Sequence, residues 1–517
     1  MPGGQDSGVQ IEHFFVLMME NRSYDHLFGY GNFQGWAPGH NGSGPKIQAE
    51  GLTGAESNPD SETGTYVHVS PTAPDSVGFD PDHEFPSVRE QVCGPKGDYP
   101  NLTMNGFVDA NGPAVMQCFD PLRIPVLSQL AADFAVFDHW YSALPGPTWP
   151  NRLFAMAATS GGLCCSPNAP TIAWQTTFGS YDFQHGNIFG NLETQGKKWR
   201  VYHQGIPMSL TLKGMGKKYL VGGEFKEYSD KNFRADLDNS YDAQFTFIEP
   251  HYGGLFDDWY WEGNSQHPNG NIQNGELLIR DVYAAIRNSN IWEKSLLLIT
   301  YDEHGGFFDH VKPPQAVPPG DTEGYISQNP GKLFDFKIQG VRVPAVLVGP
   351  RIPRNTVVKD KYDHGSISKT VSEIFGVPTL TERDKAANGL AAISSLETPR
   401  TSEADAPTSL ALAAPSETPV SSTVAMTEDE AQLQWARKQK VGGLGKLMLE
   451  LAAQIKVILD QGDPDLQGTY DGLDLPPAKV AAAIQGINTR QGAADFMNGV
   501  HQRVLANKAN VLKKGRP

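Results

Sequence analysis

A chain of 517 residues with a formal charge of −16 is not built to grip nucleic acid, because affinity for a phosphate backbone needs clustered Lys and Arg. With 39% apolar and 19% charged residues, the composition is globular and excludes a fibre or a wholly disordered chain. The length favours two or three compact units with room for a buried active site, and no apolar run approaches the roughly 20 residues needed to span a bilayer.

The opening "MPGGQDSGVQ" lacks the basic region and apolar core of a secretory signal. The expectation is a cytoplasmic chain or one exported by a signal-independent route. "HFFVLMM" at 13–19 then reads as a strand that delivers Glu20, Asn21, Arg22 and Asp25 into the space beyond its end. Next come "FAVFDHWY" (134–141), running into the loop and helix start "SALPGPTWPNRLF", and "KWRVYH" (198–203). "GELLIRDVYAAIRNSNIW" carries an apolar helical stripe of Leu277, Leu278, Val282, Ala285 and Ile286. "SLLLITY" (295–301) ends in Asp302-Glu303, and "VPAVLVG" (343–349) comes after it. Apolar runs without clean alternation suit strands buried on both faces, so the layout is α/β with a mainly parallel sheet flanked by helices. Cys93, Cys118, Cys164 and Cys165 are too few and too irregular for a disulfide framework or a Cys-based zinc site, and a single Cys93–Cys118 bridge is left open.

From 397 to 430 the texture turns rich in Ser, Thr, Pro, Ala and acids. Such a segment cannot bury enough surface to offset its ordering entropy, so it reads as a linker or surface excursion after a catalytic domain at 1–396. A small helical C-terminal region fills 431–517, where Leu444, Leu447, Met448, Leu451, Ile455 and Ile458 share one helical face. Core packing is the ordinary use of such a face. The sharper reading is peripheral membrane contact, aided by the basic residues Arg503, Lys508, Lys513, Lys514 and Arg516.

Three strand ends carry the chemistry. In open α/β sheets ligands collect beyond the carboxyl ends of strands, so Glu20-Asn21, Asp302-Glu303 and the loop after 134–141 are expected to converge. Glu20, Asn21, Asp302 and Glu303 form an oxygen-rich set suited to a divalent cation, without which the carboxylates would repel one another. Oxygen ligands favour Ca²⁺, Mg²⁺ or Mn²⁺, and recruitment of His304 or other histidines would move the balance toward Zn²⁺. Thr148, in "PGPTWPNR", is the candidate nucleophile. Pro150 favours a helix start there, and a helix N-terminus can hold a phosphate anion.

The segments "MMENRSYDHLFG", "DHWYSALPGPTWPNRLF", "QHPNGNIQNGELLIRDVYAAI", "TYDEHGGFFDHV" and "GVRVPAVLVGPRIP" stand in an order that resembles the phosphoesterase family of non-specific phospholipases C and acid phosphatases, within the alkaline-phosphatase-like superfamily. The resemblance covers roughly the first 385 residues. It implies that Glu20, Asn21, Asp302 and Glu303 are metal ligands and Thr148 the nucleophile. It also implies phosphate-contacting or proton-transferring roles for His83 in "DPDHEF", for His267 in "QHP" and, as a weaker match, for His251. Thr rather than Ser at 148 resembles the phospholipase C branch. The expected function is therefore a metal-dependent phosphoric-ester hydrolase that cleaves glycerophospholipids to diacylglycerol and a phosphorylated head group through a phosphothreonine. The rivals are an acid phosphatase on the same scaffold and a catalytically silent lipid- or partner-binding protein.

Bland readings stand beside these. Glu20-Asn21 alone could cap a helix, Thr148 alone could be an N-cap, and "DEHGGFFDH" alone could be a polar turn using Gly305 and Gly306 for backbone geometry. His139, His310 and His364 read as structural, and Arg22 with Asp25 as a salt-bridged loop anchor. His304 reads as a partner orienting a ligand or as a ligand to a second metal. Arg152 would pin the nucleophile loop or touch phosphate.

Overall fold

The computed structural model describes residues 11–31, 48–166, 181–252, 263–321, 334–413, 443–460, 477–487 and 490–513. Its centre is an eight-stranded sheet built from β1 (His13–Met19), β2 (Ala135–Phe137), β3 (Trp199–His203), β4 (Phe225–Glu227), β5 (Phe245–Ile248), β6 (Ser295–Tyr301), β7 (Ala345–Val348) and β8 (Thr356–Val358), in the spatial order β8-β2-β7-β6-β1-β5-β3-β4. All neighbours are parallel except β7, which runs against both β6 and β2. The fold is α/β. The long strand β1 lies between β5 and β6, with Val16 opposite Phe247 on one side and Leu298 on the other. Every residue of β1 and β6 is buried, which explains their uninterrupted apolar sequence.

The helices that matter are α1 (Phe85–Cys93), α2 (Pro125–Asp133), α3 (Thr148–Ala157), α4 (Ile272–Arg287), α5 (Gly365–Phe375), α6 (Gly443–Asp460), α7 (Pro477–Ala483) and α8 (Arg490–Lys513). On α4 the residues Leu278, Val282, Ala285 and Ile286 are buried as their spacing requires, but Leu277 is 37% exposed. It falls outside the stripe because Glu276, fully buried, takes the inward position beside it. "FAVFDHWY" is likewise not one strand. Its first part joins the main sheet as β2, and Trp140–Tyr141 turns away to pair with Tyr362–Asp363, which redirects the chain toward α3. The four cysteines are buried and unbridged, so the Cys93–Cys118 pairing does not form.

Of the segment 397–430, residues 397–413 are described and are bonded to the body, with Ala406 and Leu410 in the main apolar core. Trp292 Nε1 donates to Arg400 O (2.9 Å), Arg287 Nε to Ala406 O (2.8 Å) and Tyr283 OH to Pro407 O (2.6 Å). Residues 414–430 lie outside the described set. Beyond them, Ile455 and Ile458 of α6 and Met497, Val500 and Val504 of α8 join the main apolar core. The side chains of Leu444, Leu447, Met448 and Leu451 are outside the described residues. His501 on α8 lies 3.3 Å from Tyr219 OH and 3.7 Å from Glu227, the last residue of the edge strand β4.

Candidate active site

The chain leaves β1 through Glu20 into Asn21, whose φ of 58° is a left-handed conformation that Asn tolerates better than most residues. Beside it, β6 ends in Asp302 and Glu303. The two strand ends are stitched together: Asn21 N donates to Asp302 Oδ1 (3.0 Å) and Arg22 N to Glu303 O (3.0 Å). Gly305 completes the turn at φ +64°, and a Cβ there would stand 2.1 Å from Asn21 O. A glycine is therefore required for the close approach of these backbones.

Thr148 reaches the same place from the loop that follows β2. It is the first residue of α3, and its hydroxyl does not cap the helix. Instead Thr148 Oγ1 donates to Asn21 Oδ1 at 3.3 Å. The loop before it is held by Asn151, whose Nδ2 donates to Gly146 O (2.8 Å) and Pro147 O (3.1 Å) while Oδ1 accepts from Leu144 N (3.2 Å). Arg152, 1% exposed, donates to Asp302 Oδ2 (2.8 Å), Tyr252 OH (2.9 Å) and Met19 O (2.9 Å). Those bonds bind the nucleophile helix to β1 and β6, so the guanidinium is spent on positioning rather than on substrate.

The carboxylates are the costly part. Glu20, Asp302 and Glu303 are all buried, and burial pushes Glu20 up to about 8 and Asp302 to about 6 even though Arg152 opposes both shifts. Burial acts the same way on Glu303, but His83, His304 and the Gly305 N–H hold it below the ordinary range. Glu20 Oε2 and Glu303 Oε1 are buried without a hydrogen-bond partner among the described residues. Two orphaned buried carboxylate oxygens are what a hard divalent cation would satisfy, although Glu20, Asp302 and Glu303 do not bring three ligand atoms within 4.8 Å of one another.

Histidines line one flank. His83 Nε2 lies 3.2 Å from Asn21 Nδ2 and 3.8 Å from Glu303 Oε1, and its Nδ1 donates to Pro81 O at 2.7 Å. Nε2 is thus the atom at which this ring gains or loses a proton. Burial works against the charge, yet Glu303 and Asp80 outweigh it and raise His83 to about 10. An amide nitrogen facing Nε2 asks for the opposite state. The carboxylates favour the charged ring, while the Asn21 amide oxygen stays on Thr148 Oγ1. His267 Nδ1 accepts from Asn269 N (3.4 Å), which leaves Nε2 facing Asp80 Oδ1 at 3.5 Å. His251 stands in the loop after β5, with its N–H donating to Asn264 Oδ1 (2.7 Å). His304 donates from Nε2 to Gln91 Oε1 (2.7 Å) and places Nδ1 3.5 Å from Glu303, which backs that carboxylate. His364 accepts from Trp140 at Nδ1 and donates from Nε2 to Asp302 O (2.6 Å), a neutral ring whose pKa burial lowers to about 4.

A second acidic group, Asp25, Asp309 and His310, has its ligand atoms within 4.8 Å of one another. Arg342 closes it, donating to Asp25 Oδ1 (3.0 Å) and Asp309 Oδ1 (2.9 Å), and His310 Nδ1 meets Asp25 Oδ2 at 2.6 Å. The buried guanidinium pairs with both carboxylates, as Arg152 pairs with Asp302, so the group is a salt-bridged anchor whose ligand atoms also lie close enough together to hold a cation. Asp25 is the salt-bridged loop anchor expected of it. Arg22 is an anchor too, but through carbonyl acceptors at Gln266 and His267 rather than a carboxylate. Asp80, Asn151 and Arg342 were not singled out by sequence reasoning. Asp80 lies within "DPDHEF" itself, whereas nothing local distinguishes Asn151 or Arg342.

The Phosphoesterase family profile matches residues 11–378. The chain is 37% identical over 426 residues to non-specific phospholipase C6 of Arabidopsis thaliana, covering 78% of this chain and 76% of that one. It is 35% identical over 396 residues to non-specific phospholipase C1 of the same plant, covering 72% and 69%. Phospholipase C B of Mycobacterium tuberculosis strain H37Rv is 29% identical over 415 residues, covering 72% and 74%. Among solved structures, the phosphonate monoester hydrolase of Agrobacterium radiobacter aligns at 11% identity over 74% of this chain and 77% of its own, with a TM-score of 0.35, too low to carry an argument about the site. On the family match and these relatives, the chain belongs to the Phosphoesterase family and is a phosphoric-ester hydrolase.

Proposed function

We propose that the chain is a metal-dependent phospholipase C, cleaving glycerophospholipids to diacylglycerol and a phosphorylated head group with Thr148 as nucleophile. The observation that carries this is the Thr148 hydroxyl. It stands at a helix N-terminus yet bonds Asn21 (3.3 Å), beside two orphaned carboxylate oxygens, instead of capping its own helix. Relatives named as phospholipases C at 35–37% identity support the substrate class.

Glu20, Asn21, Asp302 and Glu303 would hold the cation. When bound it supplies charge stabilisation for the phosphoryl oxygens and lowers the cost of ionising a neighbouring hydroxyl. Thr148 Oγ1 gives up its proton to solvent and forms a bond to phosphorus as the bond to the diacylglycerol oxygen breaks, and that oxygen takes a proton from His83 Nε2. Asp80, facing both His83 and His267, holds charge on that flank. Arg152 and Asn151 keep the nucleophile in register with Asn21, so little reorganisation is left for the reaction itself. Water then attacks the phosphothreonine, one of its protons passing to Thr148 Oγ1 as that oxygen leaves phosphorus and the other to His83 Nε2, which restores both residues and frees the phosphorylated head group.

The test is rapid quenching during phosphatidylcholine turnover, followed by mass spectrometry of the peptide around Thr148. A phosphopeptide is expected, and Thr148→Ala should lower kcat by about 1,000-fold or more while Thr148→Ser keeps part of it. Near-normal turnover by the Ala variant sinks the assignment. Glu20→Gln and Glu303→Gln should lose bound metal, measured by elemental analysis, along with activity. A much higher kcat/KM on p-nitrophenyl phosphate than on the phosphorylcholine ester would favour a phosphomonoesterase.

A further inference from the structure

Cys164 and Cys165 are neighbours in sequence, and their sulfurs face each other at 3.8 Å. Neither takes part in the chemistry at Thr148. An apolar cluster is a common home for an isolated buried cysteine, but two adjacent thiols in contact form a dithiol, which can lose two hydrogens and close on itself. Cys165 is 9% exposed and Cys164 1%, so the pair is reached through Cys165 and by small oxidants.

The pair is built against the loop that carries the nucleophile. A Cβ on Gly146 would stand 2.7 Å from Cys164 O, so the Cys164 carbonyl occupies the space a side chain would need two residues before Thr148. The two thiols share one apolar cluster with Ala143 and Leu144 of that loop and with Phe154 of α3. Both flanks of the pair are pinned. Ser160 Oγ donates to Leu163 O (2.6 Å) on one side, and on the other Ser166 N donates to Oε2 of Glu84 (3.0 Å), the residue after His83. A change of backbone shape at 164–165 therefore has little room to relax outward and falls on Gly146.

Closing the bond makes such a change necessary. Sulfurs 3.8 Å apart must come to about 2.05 Å. Adjacent Cα atoms are held about 3.8 Å apart, below the roughly 4.4–6.8 Å that disulfides span. The small ring reaches a workable geometry by rotating the peptide between the two residues, and the oxygen of that peptide is Cys164 O. Strained disulfides are also readily reduced, so the bond is reversible.

We propose that Cys164 and Cys165 are a modification site, where a peroxide-class oxidant joins them in a reversible disulfide that turns the Cys164 carbonyl against Gly146 and takes Thr148 out of register with Asn21. One thiol and the peroxide give a sulfenic acid and water. The second thiol then attacks that sulfur, and a second water leaves as the S–S bond forms. Two thiols are oxidised and one peroxide is reduced, and exchange with two equivalents of a small thiol restores both. Formation of the bond is independent of the substrate class, and its effect on rate rests on Thr148 as nucleophile.

The experiment treats the full-length metal-loaded enzyme with hydrogen peroxide, with and without later dithiothreitol. Activity is read on whichever of p-nitrophenyl phosphorylcholine and p-nitrophenyl phosphate the enzyme hydrolyses faster, and non-reducing peptide mapping reads the segment that holds Cys164 and Cys165. That peptide should lose two hydrogens while kcat falls by about 100-fold, the effect of a displacement of about 1 Å at a reacting centre. Dithiothreitol should restore both. Cys165→Ala should keep the reduced-state kcat within about twofold and hold it there after peroxide. Cys165→Ser, closer in shape, serves the same purpose if the Ala variant folds poorly. A bridged peptide with kcat intact overturns the proposal, as does a pair that peroxide leaves reduced. Inactivation that dithiothreitol fails to reverse, or that the Cys165 variants share, overturns it too. Failure of the nucleophile assignment reads separately, because Thr148→Ala would then turn over normally in the fully reduced state.

Discussion

Gly305 shows how narrowly single residues are constrained at this site. Its φ is +64°, and the missing side chain leaves room for Asn21 O, which a Cβ would approach to 2.1 Å. Gly305→Ala must push the β1 and β6 ends apart. Because displacement of about 1 Å at a reacting centre can cost about 100-fold, kcat should fall by that order, together with metal affinity measured by calorimetric titration. Gly205 is the control, with φ +82° and nothing within 4 Å of the same position. Gly205→Ala should cost only about 1–2 kcal/mol of stability and leave kcat intact. Equal kinetic effects in the two variants would mean that the close approach at Asn21 is not needed. The strand ends themselves are legible in the sequence, since Glu20, Asn21, Asp302 and Glu303 come directly after apolar runs. Arg152 was legible as pinning the nucleophile loop or touching phosphate, and its bonds to Asp302, Tyr252 and Met19 are of the first kind, whereas no pattern announces the bonds of Asn151 to Gly146 and Pro147.

Between elements the most telling contact is a buried carboxylate. α2 begins at Pro125 after Ile124, which has no side-chain acceptor to offer. Glu276 of α4 fills that role, accepting from Val126 N (2.7 Å) and Leu127 N (3.3 Å). Burial outweighs those two donors and raises its pKa to about 8, above the value of about 4.3 expected unfolded. Between these values the folded chain binds the extra proton, so the contribution of Glu276 to stability is fully present below the unfolded value. It is lost as pH rises through about 8. Chemical denaturation at several pH values checks this: relative to Glu276→Gln, the wild type should lose up to about 1.4 kcal/mol per pH unit across that window. Glu276→Ala should be worse than Gln at every pH, by about 1–3 kcal/mol for each orphaned N–H. A pH-independent difference would show that Glu276 does not titrate there. The stripe on α4 was legible from its spacing, but an acid at 276 reads from sequence as surface because the helix it caps is about 150 residues away.

For the molecule as a whole, the question is how far the catalytic body depends on the segments C-terminal to it. The excursion at 397–413 supplies carbonyl acceptors to Trp292, Arg287 and Tyr283, while α6 and α8 extend the apolar core toward the edge strand β4. Cutting the chain after residue 395 removes both, and cutting after 413 removes only the second. At about 1 kcal/mol for each of these three hydrogen bonds and about 2–4 °C per kcal/mol, the shorter chain should melt at least about 6–12 °C below the longer one by calorimetry. Equal melting temperatures would show that the excursion adds no stability. Both truncated chains retain every proposed metal ligand, so a loss of activity without a loss of folding would point to substrate delivery. The apolar positions Ile455 and Ile458 are engaged with the core, which leaves them unavailable for a lipid surface.

The α/β class, the strands that matter and the polar residues at their ends could all be read along the chain, because strand burial and strand-end chemistry are written in consecutive residues. The neighbours were set by folding. That Asn21 lies between Thr148 and His83, that Asp25 and Asp309 are paired with Arg342, and that Thr148 bonds Asn21 instead of capping its helix all depend on strand order and on bonds between segments far apart in the chain. A one-dimensional pattern shows which groups a chain has. Which charges meet an arginine and which buried oxygens are left without a partner is settled only when the desolvation of each group has to be matched by partners brought from elsewhere in the fold.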